Sequence, residues 1–375
     1  MRIEIAQRLR PFCHLAGAYV VLPGSSLRLQ IYPTLLRIDD LSGSVPTSLA
    51  EVSFAISGPL QDFTILQDLE KGSLRIWGKN PQGFFRYAIK SLSGGEGIQL
   101  SFEKTPTAGV KLNCNGKWKL HSNEVAMAGD SCHVGAEQLT TCYAVPMIDR
   151  LSLGSHKAQD WEQMRRRRDF ADIFPIWHRL GQIITVSQEG LDPKQVQGTA
   201  VLLSECRKAI EASAPETILS KFENLFLAGF EGALSPRLSD SDHQGFAIPP
   251  IDSHATISPL MLLSEGAKLI RSLFVQNEAE SIKLLPAVPP EFSCGRLINV
   301  DCRGMGELNL EWTKKMVRIL TFQAKQTQCC SFHFFQGEKS CRLRLSNHDR
   351  GYKYSAGSVI NIVAGQNYWF DNFEK

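Results

Sequence analysis

Leu284 to Trp312, LLPAVPPEFSCGRLINVDCRGMGELNLEW, is punctuated by prolines and glycines between apolar runs. It reads as a strand, a proline-punctuated turn at Pro286, Pro289 and Pro290, a second strand, and a glycine-rich link into a third. Proline cannot continue a helix or donate in a sheet interior, so three of them within five residues mark a turn. Upstream, Ile257 to Val275 carries Leu260, Leu263, Ala267, Ile270 and Phe274 at helical spacing on one side. The stretch therefore marks a change from helix to β-structure.

Beyond it the β pattern continues. Leu308–Trp312, Val317–Phe322, Cys330–Phe335, Leu343–Leu345, Val359–Val363 and Tyr368–Phe370 are predicted strands, punctuated by Gly337, Gly351, Gly357 and Gly365. Before it, from about Asp149 to Val275, the apolar spacing is helical. Ser155 is predicted to cap a helix through Trp161 toward Ile173, with Pro175 kinking or ending it. Pro193 opens a predicted helix over 194–213, and Pro215 opens another whose apolar residues run from Ile218 to Phe230. Residues 1–150 alternate with period two at Leu27–Tyr32, Phe63–Leu69, Leu74–Trp77, Phe84–Ile89 and Ile98–Phe102, with Gly78 to Gly83 as a long hairpin loop. The expected architecture is a multidomain α+β chain. An N-terminal β-sandwich (1–150) precedes a short helical domain (151–278) and a C-terminal β-domain (279–375).

Composition narrows the function classes. The chain has 375 residues, 41 basic and 38 acidic, for a net charge of +3. That balance speaks against general nucleic-acid or membrane binding as its business. No apolar run reaches the length of a membrane span and the first residues carry no secretory pattern, so a cytoplasmic location is expected. Ten cysteines without a C-x-x-C pair fit reduced, buried thiols rather than a zinc site, and neither metal nor cofactor is expected.

The C-terminal motifs resemble a known family. Leu284-Leu285-Pro286-Ala287-Val288-Pro289 is similar to the L-L-P-A-L-P motif of the glycoside hydrolase family 95 fucosidases and the related family 65 enzymes. Gly295-Arg296-Leu297, Cys302-Arg303-Gly304 and Glu307 to Trp312 are similar to the segments that follow it, and Ile251-Asp252-Ser253-His254 stands where the family carries I-D-G-N. The resemblance covers about 60 residues, from the Ile251 segment to Trp312. It implies a β-sandwich, a helical barrel and a β-domain in that order. About 125 residues lie between Asp149 and Val275, whereas twelve barrel helices with loops need upwards of roughly 200. The helical part is therefore a reduced one.

Glycoside hydrolysis usually needs two carboxyl groups flanking the glycosidic oxygen. The resemblance makes Asp252 the base-side carboxylate, with His254 to position it; the alternative is that Asp252 caps the following helix. Glu231, Asp240 and Asp242 are the candidates for its partner. The polar loop Leu234 to Gly245, with Asp240 and His243, holds residue types that hydrogen-bond sugar hydroxyls, although a solvated loop contains the same types. Trp161 and Trp177 in the helical block are candidate sugar-stacking rings. The resemblance implies a carbohydrate ligand, bound by a divergent hydrolase or by a non-catalytic glycan-binding or scaffold protein on the same frame. Arg165 to Arg168 supports a third reading, an anion- or nucleic-acid-binding regulator. Four successive arginines sweep a helix circumference, so at least one should turn inward toward Asp160, Asp169 or Asp172.

Overall fold

Alternating apolar residues in the first third of the chain build two antiparallel sheets. The computed structural model describes residues 3–92, 96–121, 125–136, 143–144, 146, 148–154, 157–184, 197–251, 257–346 and 348–375. One sheet has six strands in the order Val125–Ala126, Val110–Gly116, Thr47–Phe54, Leu35–Asp40, Leu27–Ile31, Ala18–Val21. The other has seven, in the order Phe12–Cys13, Gln61–Asp68, Ser73–Asn80, Gly83–Ser91, Gly97–Lys104, Ser131–Gly135, Lys119–His121. Their inner faces meet at Phe54 and Tyr87, stacked with ring centroids 5.1 Å apart. The long hairpin loop expected at Gly78 to Gly83 is a two-residue turn, Pro81-Gln82. Gly78, Lys79 and Asn80 stay in the ladder opposite Phe85, Phe84 and Gly83, because Gly83, at φ 138°, lets the chain reverse at once.

Five helices follow among the described residues: α1 Trp161–Arg167, α2 Phe170–Ile183, α3 Ala200–Glu211, α4 Pro215–Gly229 and α5 Met261–Ser272. The single helix expected from Ser155 is two. Asp160 caps α1 through Gln163 N, Arg168 ends it in the left-handed region (φ 54°), and Asp169 caps α2 through Ala171 N. Ser155 and the segment around Pro193 lie outside the described residues. Pro175 does not end its helix: it is the sixth residue of α2, which runs on to Ile183. A proline there costs about 3 kcal/mol, and the packing of α2 offsets it. Phe174 lies against Phe222 of α4 (4.9 Å) and Phe292 (5.5 Å), and Trp177 against Phe230 (4.6 Å). Helix α2 also approaches α5 closely through two glycines. A Cβ on Gly266 would sit 2.7 Å from the Trp177 ring, and one on Gly181 would sit 2.2 Å from Leu263 O.

The stretch Leu284 to Trp312 joins helices to sheet as its pattern implied. Ser281–Leu284 pairs in parallel with Gln328–Phe334, and Cys294–Asp301 pairs with Gly306–Thr313. Between them, Leu285, Ala287, Val288 and Phe292 are buried. Phe292 touches Phe174 and Phe274, Phe274 stacks on Trp312 at 5.0 Å, and the Trp312 indole donates to Phe292 O. The prolines thus turn an apolar edge onto the helices. A seven-stranded sheet (Arg150–Ser152, Cys294–Asp301, Gly306–Thr313, Met316–Ala324, Asn367–Glu374, Ser340–Arg344, Tyr352–Ser355) faces a four-stranded one (Val275–Asn277, Ser281–Leu284, Gln328–Phe334, Val359–Ile362). Phe332 bridges them, 5.4 Å from Phe322 and 4.7 Å from Phe370. The chain is β-rich α+β. Arg150–Ser152, near the expected first boundary, pairs with Cys294–Asp301 of the seven-stranded sheet, and Val275–Asn277, before the second, pairs with Ser281–Leu284 of the four-stranded one.

Candidate functional site

The loop after α4 is organised by one arginine. The last carbonyls of a helix have no partner within it. Arg237 supplies one: its Nε donates to Ala228 O at 3.0 Å and its Nη2 to Leu227 O at 3.3 Å. The same guanidinium, 7% exposed, binds Ser241 Oγ and Asp242 Oδ2, both at 2.7 Å, and lies 3.6 Å from Asp240 Oδ1. Asp240 Oδ2 accepts from Gln244 N at 2.7 Å, which closes the turn. A cleft of about 360 Å³ opens beside it, lined by Ser239, Asp240, His243, Phe246, Ile248 and Ile251 among others. Asp240 Oδ1 is buried there and makes no hydrogen bond.

Asp240 and His243 line one cleft, while the other candidates separate. Asp252 and His254 lie outside the described residues, immediately after Ile251 of the cleft wall. Glu231 faces away, paired at 2.9 Å with Arg28 of the strand Leu27–Ile31, which also holds Asp39 at 2.8 Å. Asp242 is exposed and ionised. The hydrogen bond from Arg237 holds its carboxyl below the usual carboxylate range, helped by the charges of Arg237 and Arg165. A general acid needs the opposite shift.

The two tryptophans are corrected to core residues. Trp161 and Trp177 are 1% and 0% exposed, and their indole N–H groups donate to Gly232 O and Leu262 O. Neither ring offers a face to a sugar, because α1 and α2 turn them inward onto Phe226 and Phe230. The arginine run is also distributed. Arg165 lies 4.0 Å from Asp242, Arg167 donates to Gln163, and Arg168 pairs with Glu223 at 2.5 Å. The expected partners Asp160 and Asp169 are spent on helix caps instead.

Sequence reasoning missed a charged centre between α2 and α5. The side chain of His178 is 1% exposed; its Nδ1 is 3.2 Å from Ala267 O and its Nε2 3.5 Å from Asp149. Arg271 lies 3.3 Å from the same carboxylate, and Gln182 donates to it. Burial pushes the Asp149 carboxyl up, but the hydrogen bond and charge of His178 and the charge of Arg271 outweigh it and hold the group below its ordinary value. The only signal was a His on an apolar helix face, and its partner is 29 positions away in sequence.

Among the described residues no helix is long and apolar enough to cross a membrane, and no three His, Cys, Asp or Glu side chains cluster to hold a metal ion. No protein-family model matches the chain, and no curated protein matches its sequence.

Proposed function

We propose that this chain is a non-catalytic, glycan-binding relative of the helical-barrel glycosidases, with a β-sandwich, a reduced helical block and a C-terminal β-domain. One observation carries the loss of chemistry: the candidate acids Glu231, Asp240 and Asp242 each lie within 4 Å of an arginine, the first at Arg28 and the other two at Arg237. For Asp242 the hydrogen bond from Arg237 favours the ionised form, which has no proton to give a leaving group. The cleft beside Arg237 supports the binding half of the reading. It sets Ser239 and His243 beside the half-buried Phe246, polar groups beside an apolar ring.

The test is sugar release from aryl α-fucosides and from neutral oligosaccharides. No release by the wild-type chain, equal to that of Asp252→Asn, is expected, together with measurable oligosaccharide binding. Release that disappears in Asp252→Asn would restore the hydrolase reading. Absence of binding would leave the scaffold reading.

A further inference from the structure

The outer face of the C-terminal seven-stranded sheet carries a second set of sugar-type groups. On the three adjacent strands Gly306–Thr313, Met316–Ala324 and Asn367–Glu374, register sets Asn309 opposite Thr321 and Thr321 opposite Trp369. One rung away, Glu307 stands opposite Gln323 and Gln323 opposite Asn367. Directly opposed residues of antiparallel strands project to the same side. Their neighbours Leu308, Leu310, Leu320, Phe322, Tyr368 and Phe370 are buried on the other side, so the six form one outward field. Strands about 4.8 Å apart and rungs about 7 Å apart give it roughly the footprint of one or two sugar rings.

The field is built into a cleft. Its volume is about 590 Å³, with Ile3, Glu4 and Ile5 as one wall and Asn299 at the rim. Arg296 Nη1 holds the wall by donating to Glu4 O at 3.1 Å. Asn299 sits in the left-handed region (φ 60°) where the ladder slips between Leu297 and Val300, and bulges of this kind re-aim side chains beside binding sites. Its N–H donates to Asn309 Oδ1 at 2.8 Å, and Asn309 Nδ2 donates to Thr321 Oγ1 at 3.1 Å, which orients the amide. The side chains of Glu307, Gln323, Asn367 and Trp369 make no hydrogen bond to another described residue. Trp369 is half-buried, unlike the core tryptophans.

We propose that this cleft is a neutral-oligosaccharide site. Trp369 stacks on a pyranose ring, while Gln323, Asn367 and Glu307 bond its neighbouring hydroxyls. Amides supply donor and acceptor side by side, which vicinal hydroxyls require, and an indole face receives the apolar face of a sugar. Among the described lining residues the one cation, Arg150, is engaged by Glu70 and Gln7 O, both at 2.8 Å, so none of them offers a free positive charge to an anionic ligand. The ligand class rests on the carbohydrate reading above, but the site is a different one.

Cellohexaose, maltohexaose and 2′-fucosyllactose, each titrated into the full chain by calorimetry and tryptophan fluorescence, test it. At least one should bind with a fluorescence change. Trp369→Ala should weaken that binding at least about tenfold and Trp369→Phe should restore most of it. Gln323→Ala and Asn367→Ala should each weaken it about two- to tenfold, with thermal midpoints close to wild type. Arg37→Ala, on the N-terminal sheet and in the lining of neither cleft, should bind as wild type. Wild-type affinity in Trp369→Ala overturns the site. If affinity is lost in Phe246→Ala instead, the glycan-binding reading survives and this inference does not. No binding of any of the three at millimolar concentration overturns both.

Discussion

The two pairs of sheets are alike inside and different outside. Each is closed by aromatics: Phe54 on Tyr87 in the N-terminal pair, Phe332 between Phe322 and Phe370 in the C-terminal pair. On the outer faces of the N-terminal pair, opposed residues answer one another. Arg28 meets Asp39 and Arg37 meets Glu51, each at 2.8 Å and each in direct register, while Arg75 and Arg86 share Glu103. The C-terminal sheet does the same at its flanks, where Arg296 meets Glu311 and Arg342 and Arg344 meet Asp371. Between those flanks the side chains of Glu307, Gln323, Asn367 and Trp369 make no hydrogen bond to another described residue. A face that satisfies itself needs no ligand, whereas one that leaves amides and an indole open beside a cleft has groups to offer.

The largest effect is expected from the shared interior: Tyr87→Ala and Phe332→Ala should each cost about 3–5 kcal/mol in urea unfolding. A cost below about 1 kcal/mol at either would show that the two interiors are not equivalent. Asp149→Asn comes next, at about 3 kcal/mol, because it leaves His178 and Arg271 without their buried partner. The sign with pH follows from the lowered folded-state value. The contribution of Asp149 is complete above the ordinary carboxylate range and is lost as pH falls through the folded value. The gap between wild type and Asp149→Asn should therefore begin to close below about pH 4 and vanish only below the lowered folded value, and a gap that stayed constant into acid would refute the assignment. Arg237→Ala should cost about 2 kcal/mol, since two helix carbonyls and the 240–242 turn lose their donor. Proteolysis within 238–251 should rise in parallel, and an unchanged digestion pattern would contradict that role. Smallest is Arg37→Ala on the N-terminal outer face, under about 1 kcal/mol and vanishing in 1 M salt. A larger, salt-resistant loss would mean that this face does more than satisfy itself.

Much of the fold was legible because periodicity is local. The period-two runs from Leu27 to Phe102 and from Leu308 to Phe370 are strands, and the apolar spacing from Ile218 to Phe230 is α4 followed by a short strand. Legibility failed where a long-range contact overrode a local signal. Pro175 stays inside a helix because Phe174 and Trp177 are locked against other segments, and those contacts made Trp177 core rather than site. For the candidate site, composition found the polar loop and its cleft residues Asp240 and His243. It could not find what commits Glu231, because Arg28 lies 203 residues away.

By itself the sequence determined which residues turn inward, since apolar spacing states a face without reference to any partner. It also determined where the chain changes from helix to sheet, since the prolines and glycines of Leu284 to Trp312 restrict their own backbone. Only the tertiary structure decided which outward residues meet. Sheet register and ion-pair partners are set by pairings between distant segments, and one residue of slip would exchange the two faces of a strand. The open field of Glu307, Gln323, Asn367 and Trp369, and the closed pairs Arg28–Glu231 and Arg237–Asp242, both arise at that level.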